Sequence, residues 1–385
     1  MEDEMKIEIR PEMLRWARER AGLGLDEVVS KFAGYAEWEG GDVLPTLMQL
    51  EGVAQKMNTP VGYFFLDAPP DEPLPIPDLR TLRDRASRRP GPDLLETIYL
   101  CLRRQDWYRD YCLFEGYEPL SLVGSARLGQ SVEQVAASMR EAFGFGLEAR
   151  SRCGTWRDAL DRLLADIDDA GIMVMRSGVV FGNGERELKV GEFRGFVLAD
   201  EMAPLVFING GDARSAQMLT LAHGLAHLWL GESALFTAHI DGGEEERVER
   251  WCNEVAAEML LPLDALRADI DPGEPVDDAV ARLVRRFKVG PLVVLRRLFD
   301  LGFLDRSDLY GRYDAEVEGV AISGSGESSD GLESSQIAGL SRRFGWALIG
   351  DTLEGRTLYR DALRLAGLKR VLTLHEIGRR LGFSI

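Results

Sequence analysis

The segment LTLAHGLAHLWLG, residues 219–231, constrains this chain more than any other stretch. Its leucines and alanines predict a helix packed in a core, running from Ala213 to Leu230. His223 and His227 lie one turn apart on this helix, so their imidazoles share a face and can bind one metal ion. The chain has only 4 histidines. A chance pair in a core helix is the alternative, and we favour metal binding because the helix directly follows predicted strands.

A metal held by two histidines needs a third protein ligand, and the next predicted helix offers acidic candidates. This helix runs from about Glu246 to Leu261. The candidates are Glu246, Glu249 and Glu254. We favour Glu249, because Asn253 follows one turn later on the same face and could hydrogen-bond a metal-bound histidine. The alternative for each glutamate is a solvent-facing position on the helix.

Gly224 stands where an HExxH metallopeptidase carries its general base. In such enzymes the glutamate takes a proton from metal-bound water and later delivers one to the leaving amine. Glycine can do neither, and inside a helix it costs about 1 kcal/mol relative to alanine. Two interpretations stay open: a natural protein that keeps the metal without catalysis, or an inactivating substitution. Rescue by Glu232 is not expected, because that residue lies beyond His227.

The apolar pattern predicts an α+β fold that is mostly helical. Three short runs bounded by glycine, aspartate or asparagine indicate strands: GIMVMRSG (171–178), FRGFVLAD (193–200) and APLVFING (203–210). Helical periodicity covers residues 10–70 and the last fifty residues. The proline-rich stretch 67–92 predicts an extended connector, and SGSGESSDG (323–331) predicts a flexible linker.

Composition limits the location and the partners. The net charge of −18 and a pI of about 4.8 make the chain a poor general binder of polyanions. Its 4 cysteines are scattered without CxxC spacing, which indicates a reducing compartment. There is no apolar signal segment near the N-terminus and no apolar run of membrane length. We therefore predict a cytoplasmic location and no membrane partner.

Several segments together resemble the ImmA/IrrE metallopeptidases that are fused to an N-terminal XRE-type helix-turn-helix. Residues 219–231 and ERWCNEVAAEMLLP (249–262) resemble the peptidase core, and residues 13–28 and 45–70 resemble the XRE half. The resemblance covers most of the chain. It implies an XRE-like helix-turn-helix domain (1–70), a helical connector (71–130), a zincin-like peptidase domain (131–315), a flexible linker (316–335) and a C-terminal helical domain (336–385).

The resemblance also implies a function. Such proteins use Zn²⁺, here held by His223, His227 and Glu249, to cleave a helix-turn-helix repressor in stress response or in phage and mobile-element defence. The chain is therefore expected to recognise and cleave such a repressor or, with Gly224 in place of the base, only to bind it. The alternative is a non-catalytic transcriptional regulator or sensor that uses the peptidase fold as a docking module.

Further site predictions follow from the same resemblance. The strand at residues 205–209 corresponds to the edge strand on which zincins lay an extended substrate, with Val206, Phe207, Ile208 and Asn209 as the substrate strand. Cys112, if its segment folded over the site, could supply a thiolate as a fourth, switchable zinc ligand. The alternative is a small buried apolar residue. His239, in the loop after the zinc helix, could assist the chemistry or stabilise an oxyanion.

The N-terminal half departs from the XRE pattern. Residues 32–38, FAGYAEW, leave less than two turns for the recognition helix and place no arginine, asparagine or glutamine on it. We therefore expect this domain to serve packing or partner recognition, with DNA binding as the less favoured alternative. The predicted partner is a helix-turn-helix repressor, and a homodimer is left open.

Overall fold

A computed structural model describes residues 6–80, 90–180, 182–237, 247–323 and 339–384, with backbone alone for residues 317–323. The described chain has the predicted α+β class: it is mostly helical, with a four-stranded mixed sheet and a two-stranded ribbon. It forms two compact units, residues 6–75 with 90–98 and residues 76–80 with 99–384. Across the described ranges, no helix combines the length and the apolar character needed to cross a membrane.

Residues 6–75 fold into short helices around a small core. They are α1 (Pro11–Arg20), α2 (Leu25–Lys31), α3 (Tyr35–Gly40), α4 (Leu47–Lys56) and a 3-10 helix (Val61–Phe65). Thr46 is the N-cap of α4. Its hydroxyl accepts a hydrogen bond from the Gln49 N–H at 3.3 Å, and the Gln49 side chain accepts from the Thr46 N–H at 2.8 Å. This reciprocal capping box explains why the helix begins at that residue.

The helix α3 stands where the XRE pattern places its recognition helix, and its 6 residues match the predicted length of less than two turns. Tyr35, Trp38 and Glu39 are buried. The Tyr35 hydroxyl donates to the Leu14 carbonyl at 2.9 Å, and Glu39 pairs with Arg18 at 2.8 Å. These side chains hold the core of the first unit together. The sequence of α3, YAEWEG, contains no arginine, asparagine or glutamine that could read base edges.

The second unit is built around a sheet with strand order β1-β5-β4-β6. The strands are β1 (Met173–Ser177), β2 (Val179–Val180), β3 (Asn183–Glu187), β4 (Gly195–Leu198), β5 (Leu205–Asn209) and β6 (Ala234–Phe236). β1 is parallel to β5, and β4 is antiparallel to both β5 and β6. β2 and β3 form the separate ribbon. The three runs predicted as strands are β1, β4 and β5.

The prediction that β5 is the substrate-binding edge strand is wrong. Val206 pairs with Val174 of β1 on one side and with Val197 of β4 on the other. Both edges of the strand are therefore hydrogen-bonded and cannot accept a peptide. All five residues of β5 are buried, including the predicted substrate residues Val206, Phe207, Ile208 and Asn209. An apolar run buried on both faces is typical of an interior strand.

The edge strand beside the predicted zinc helix is β6, which the sequence did not reveal. Its outer edge is covered by the chain itself. The Leu235 N–H donates to the Pro77 carbonyl at 2.9 Å, and the Leu79 N–H donates back to the Leu235 carbonyl at 2.9 Å. Arg80 binds the Asp78 carboxylate of the same segment at 2.8 and 2.9 Å, and its guanidinium donates to the Glu192 carbonyl at 3.2 Å. Residues 77–79 of the predicted connector thus lie along β6, where Asp78 forms an isolated β-bridge with Leu235.

Helices pack around the sheet. Those before residue 324 are α5 (Pro92–Glu115), α6 (Val132–Ala142), α7 (Leu147–Ser151), α8 (Trp156–Asp169), α9 (Arg214–Leu230), α10 (Arg247–Leu260), α11 (Leu263–Arg267), α12 (Val276–Phe287), α13 (Pro291–Asp300) and α14 (Arg306–Ser323). α9 packs on β4 and β5 and against α10 and α13. Because α14 continues to Ser323, residues 316–323 of the predicted linker are helical. Residues 324–335 of that linker lie outside the described ranges.

The C-terminal helices are α15 (Arg342–Leu353), α16 (Tyr359–Ala366) and α17 (Val371–Arg380). A buried carboxylate joins them to the rest of the second unit. Asp168, at the end of α8, accepts hydrogen bonds from the Ser341 hydroxyl and from the Arg343 N–H at 2.7 Å. The Arg343 guanidinium donates in turn to the Asp168 carbonyl at 2.7 Å.

Replacing Asp168 by alanine is expected to loosen this junction. The Ser341 hydroxyl and the Arg343 N–H would lose their acceptor in a buried site, at a cost of about 2–4 kcal/mol. Urea unfolding and hydrogen exchange in α15 measure the loss. The matched control is Asp169→Ala, which alters the exposed neighbouring carboxylate. Equal stability losses in the two variants would contradict the anchoring role.

Candidate metal centre

The helix α9 carries both histidines into the interior of the second unit. Of its 17 residues, 14 are buried, because the sheet covers one side and α10 and α13 cover others. The helix ends at Gly231, which has φ 73° and forms the left-handed C-cap that favours glycine. His223 and His227 are both 0 % exposed. The sequence therefore predicted the helix, its end and the position of the pair.

Glu249 and Asn253, one turn apart on α10, face the two histidines. His227 Nε2 lies 3.0 Å from His223 Nε2 and 3.0 Å from Glu249 Oε1. Glu249 Oε2 lies 3.4 Å from His223 Nε2. Within the described ranges, these three side chains form the one group of three or more possible ligands whose donor atoms lie within 4.8 Å of one another. The structure thus brings the three predicted ligands together.

The donor set fits a zinc ion. Tetrahedral zinc with bonds of about 2.0–2.1 Å separates neighbouring ligand atoms by roughly 3.3–3.4 Å. The three measured separations, 3.0, 3.0 and 3.4 Å, are near that value. Two imidazole nitrogens that face each other at 3.0 Å need a proton or a metal ion between them, because their lone pairs repel. Zinc as the bound ion remains a prediction.

The electrostatics favour the protonation states that ligands need. Burial lowers the pKa of His227, which keeps the imidazole neutral. Burial alone would raise the pKa of Glu249, but the interactions with His223 and His227 outweigh it and lower the pKa to about 2. An ionised carboxylate and a neutral imidazole are the forms that bind a metal.

Asn253 fixes the tautomer of His223. Its Oδ1 lies 2.9 Å from His223 Nδ1. Because an amide oxygen can only accept, Nδ1 carries the proton and Nε2 directs its lone pair towards His227 and Glu249. The predicted role of Asn253 therefore agrees with its position. Within the described part of the chain His227 has no similar support, since its Nδ1 is buried without a hydrogen-bond partner there.

Gly224 lies where a side chain has no room. A Cβ atom there would lie 2.9 Å from Val206 Cγ1, 3.2 Å from Val197 Cγ2 and 3.4 Å from Phe236 Cζ. The first two separations are shorter than an ordinary carbon–carbon contact. Both valines are β-branched and stiff about χ1, so they cannot turn aside easily. Three neighbouring strands therefore fill the space in which a general base would stand.

Phe236 of β6 covers the histidine pair. Its ring is stacked on the His227 ring with centroids 5.5 Å apart and planes at 12°, and it lies 4.5 Å from the His223 ring. The sequence analysis missed this residue. Its strand has only 3 residues and no alternation of polar and apolar side chains. The one available signal is an apolar triplet between the histidine helix and an acidic loop.

Other predicted site residues do not join the cluster. Cys112 is buried on α5, and burial raises the pKa of its thiol beside Tyr108. It is not a member of the ligand group, so the predicted fourth ligand is not found. Glu254 is exposed, as is Glu232 beyond the end of α9. The other two predicted residues, His239 and Glu246, lie outside the described residues.

Comparison with known families agrees with this geometry. Residues 168–299 match the family model Peptidase_M78, described as an IrrE N-terminal-like domain. Residues 340–380 match a domain of unknown function, DUF8813. No curated protein and no solved structure matched the chain. The first match spans the whole ligand cluster and confirms the peptidase part of the resemblance, in a zincin-like family, whereas the XRE part remains a prediction.

Proposed function

We propose that this protein is a zinc-binding regulator with a peptidase fold that binds a helix-turn-helix repressor without cleaving it. The observation that carries the proposal is the packing at Gly224. The ligand cluster is complete, whereas the position of the general base is filled by Val206, Val197 and Phe236. The site therefore retains metal binding and lacks the group that would transfer protons.

The residues of the metal centre have two different roles, metal binding and ligand orientation. His223, His227 and Glu249 would hold the zinc ion, and Asn253 orients His223. A bound zinc ion supplies a Lewis acid that lowers the pKa of a bound water. Removing and delivering protons during hydrolysis needs a further base. Among the described residues, Glu249 is the only carboxylate of the cluster, and it serves as a ligand.

We further infer that the side chains of β4, β5 and β6 have evolved to pack against glycine at position 224. Truncating a large buried side chain leaves a cavity, because the surroundings relax only in part. Around Gly224 the opposite is found, since a single added carbon would already meet side chains from β4, β5 and β6. This packing supports a natural loss of the base over a recent inactivating substitution.

The covered edge of β6 also supports binding without cleavage. Zincins extend the sheet with the substrate strand. Here the outer edge of β6 is already paired with Pro77 and Leu79, and Phe236 of the same strand covers the histidines. An extended peptide could add at this edge only by displacing the connector. The repressor itself is proposed from the resemblance to ImmA/IrrE proteins.

The proposal is tested by mixing the zinc-loaded protein with the helix-turn-helix repressors of its host genome. Co-purification measures binding, and intact mass measures cleavage. We expect at least one repressor to bind and to stay intact. His223→Ala should leave the affinity unchanged, as should the control His375→Ala in α17. Cleavage by the wild-type protein would refute the non-hydrolytic role, and the absence of binding to any repressor would refute the partner.

A further inference from the structure

Arg150 carries a guanidinium buried in the second unit. It lies on α7 and is 1 % exposed. Its Nε and both Nη atoms are buried, and none of them has a hydrogen-bond partner among the described residues. The guanidinium lies over the ring of Phe145, 5.0 Å from the centroid. One face is thus satisfied by an aromatic ring, while all the N–H donors remain available.

The charged group that acts on Arg150 is another cation. Burial, together with the charge of Arg140 on α6, lowers the pKa of Arg150 to about 9. Arg140 itself donates to the Glu258 carbonyl at 2.6 Å. The Glu258 carboxylate is already engaged, by the Arg297 guanidinium and by the Leu263 N–H at 3.1 Å. The nearby acid therefore does not neutralise Arg150.

An isolated charge in a protein interior is strongly unfavourable unless it is paired. The planar guanidinium is also the side chain best suited to grip a carboxylate or phosphate through two parallel hydrogen bonds. We propose that Arg150 and Arg140 form a binding site for a small oxyanion of the carboxylate or phosphate class. This site goes beyond the proposed function, and it uses none of the residues of the metal cluster.

The surroundings suit an internal ligand. Arg140 is partly buried, whereas Arg150 is 1 % exposed. α7 has 5 residues and packs against α12, and α6 packs against α10. An anion held by both arginines would offset both positive charges. It would also link α6 to α7.

The test measures thermal unfolding of the full-length protein during titration with sodium phosphate or sodium formate at constant ionic strength. We expect the wild-type Tm to rise with the logarithm of the anion concentration once that concentration exceeds Kd, by about 5–10 °C at roughly 100 times Kd. Phosphate and formate separate the two oxyanion classes. Arg150→Met should abolish this rise. The control Arg152→Met, an exposed arginine two residues away, should behave as the wild type does.

Two results would overturn the site. One is an equal rise in all three proteins, which reflects general solute exclusion. The other is no rise of the wild-type Tm with either anion. If Arg150→Met does not fold, Arg150→Lys and Arg140→Gln decide the question. Both should weaken anion binding by about tenfold or more, since each removes a charged fork. Wild-type affinity in both variants would refute the proposal.

Discussion

Gly224→Glu is expected to lose about 3–5 kcal/mol of unfolding free energy and to gain no peptidase activity. The added Cβ would lie 2.9 Å from Val206 Cγ1, so the stiff valine and its strand must shift. The carboxylate would then be forced among the apolar side chains of Val206, Val197 and Phe236. Urea unfolding measures the first effect. Cleavage of a bound repressor or of a fluorogenic peptide library by the zinc-loaded variant measures the second.

Two companion variants separate crowding from charge. Gly224→Ala adds only the methyl group. The unfolding free energy should gain about 1 kcal/mol from the higher helix propensity of alanine and lose about 1–3 kcal/mol from overpacking. Val206→Ala removes the nearest atom, so Gly224→Glu should cost about 1–2 kcal/mol less in that background. A Gly224→Glu protein as stable as the wild type and able to cleave would show that the glycine replaced a native glutamate.

Glu249→Ala is expected to abolish metal binding, lowering the zinc affinity by far more than about 100-fold. This change removes the only anionic ligand, whose Oε1 lies 3.0 Å from His227 Nε2. Competition with a chromophoric chelator measures the affinity. The matched control is Glu254→Ala on the same helix, which alters an exposed glutamate and should leave zinc affinity unchanged.

A milder variant tests the support of His223 separately. Asn253→Ala removes the acceptor 2.9 Å from His223 Nδ1 and leaves all three ligands in place. Loss of such an outer partner usually lowers metal affinity by about 10–100-fold. Similar zinc affinities for Asn253→Ala and the wild type would show that the amide does not orient the ligand. For the third ligand itself, a zinc affinity of Glu249→Ala that equals the affinity of Glu254→Ala would show that the ligand lies elsewhere.

Local periodicity explains what the sequence could predict. His223 with His227, and Glu249 with Asn253, are each pairs at a spacing of one helical turn, so sequence distance fixed their common face. The apolar content of α9 further predicted its burial. These relations hold within single helices, and the structure placed all four side chains at one centre.

Relations between distant segments were not predictable in the same way. The position of a strand in a sheet cannot be deduced from its position along the chain. The sequence therefore led to the wrong prediction that β5 is an edge strand. β6 is too short to show a period, and Phe236 was missed with it. Arg150 stands in the polar run LEARSRCG, where an arginine is expected to face solvent. Its burial depends on contacts that only the folded chain supplies.

We expect the site to keep its metal although the base is missing. Elemental analysis of the purified protein after zinc loading and dialysis, with His223→Ala treated in parallel, measures this retention. We expect about one zinc per wild-type chain and none in the variant. A wild-type protein that retains no zinc would refute metal binding at this site. The buried histidine–glutamate cluster would then be a hydrogen-bonded structural core.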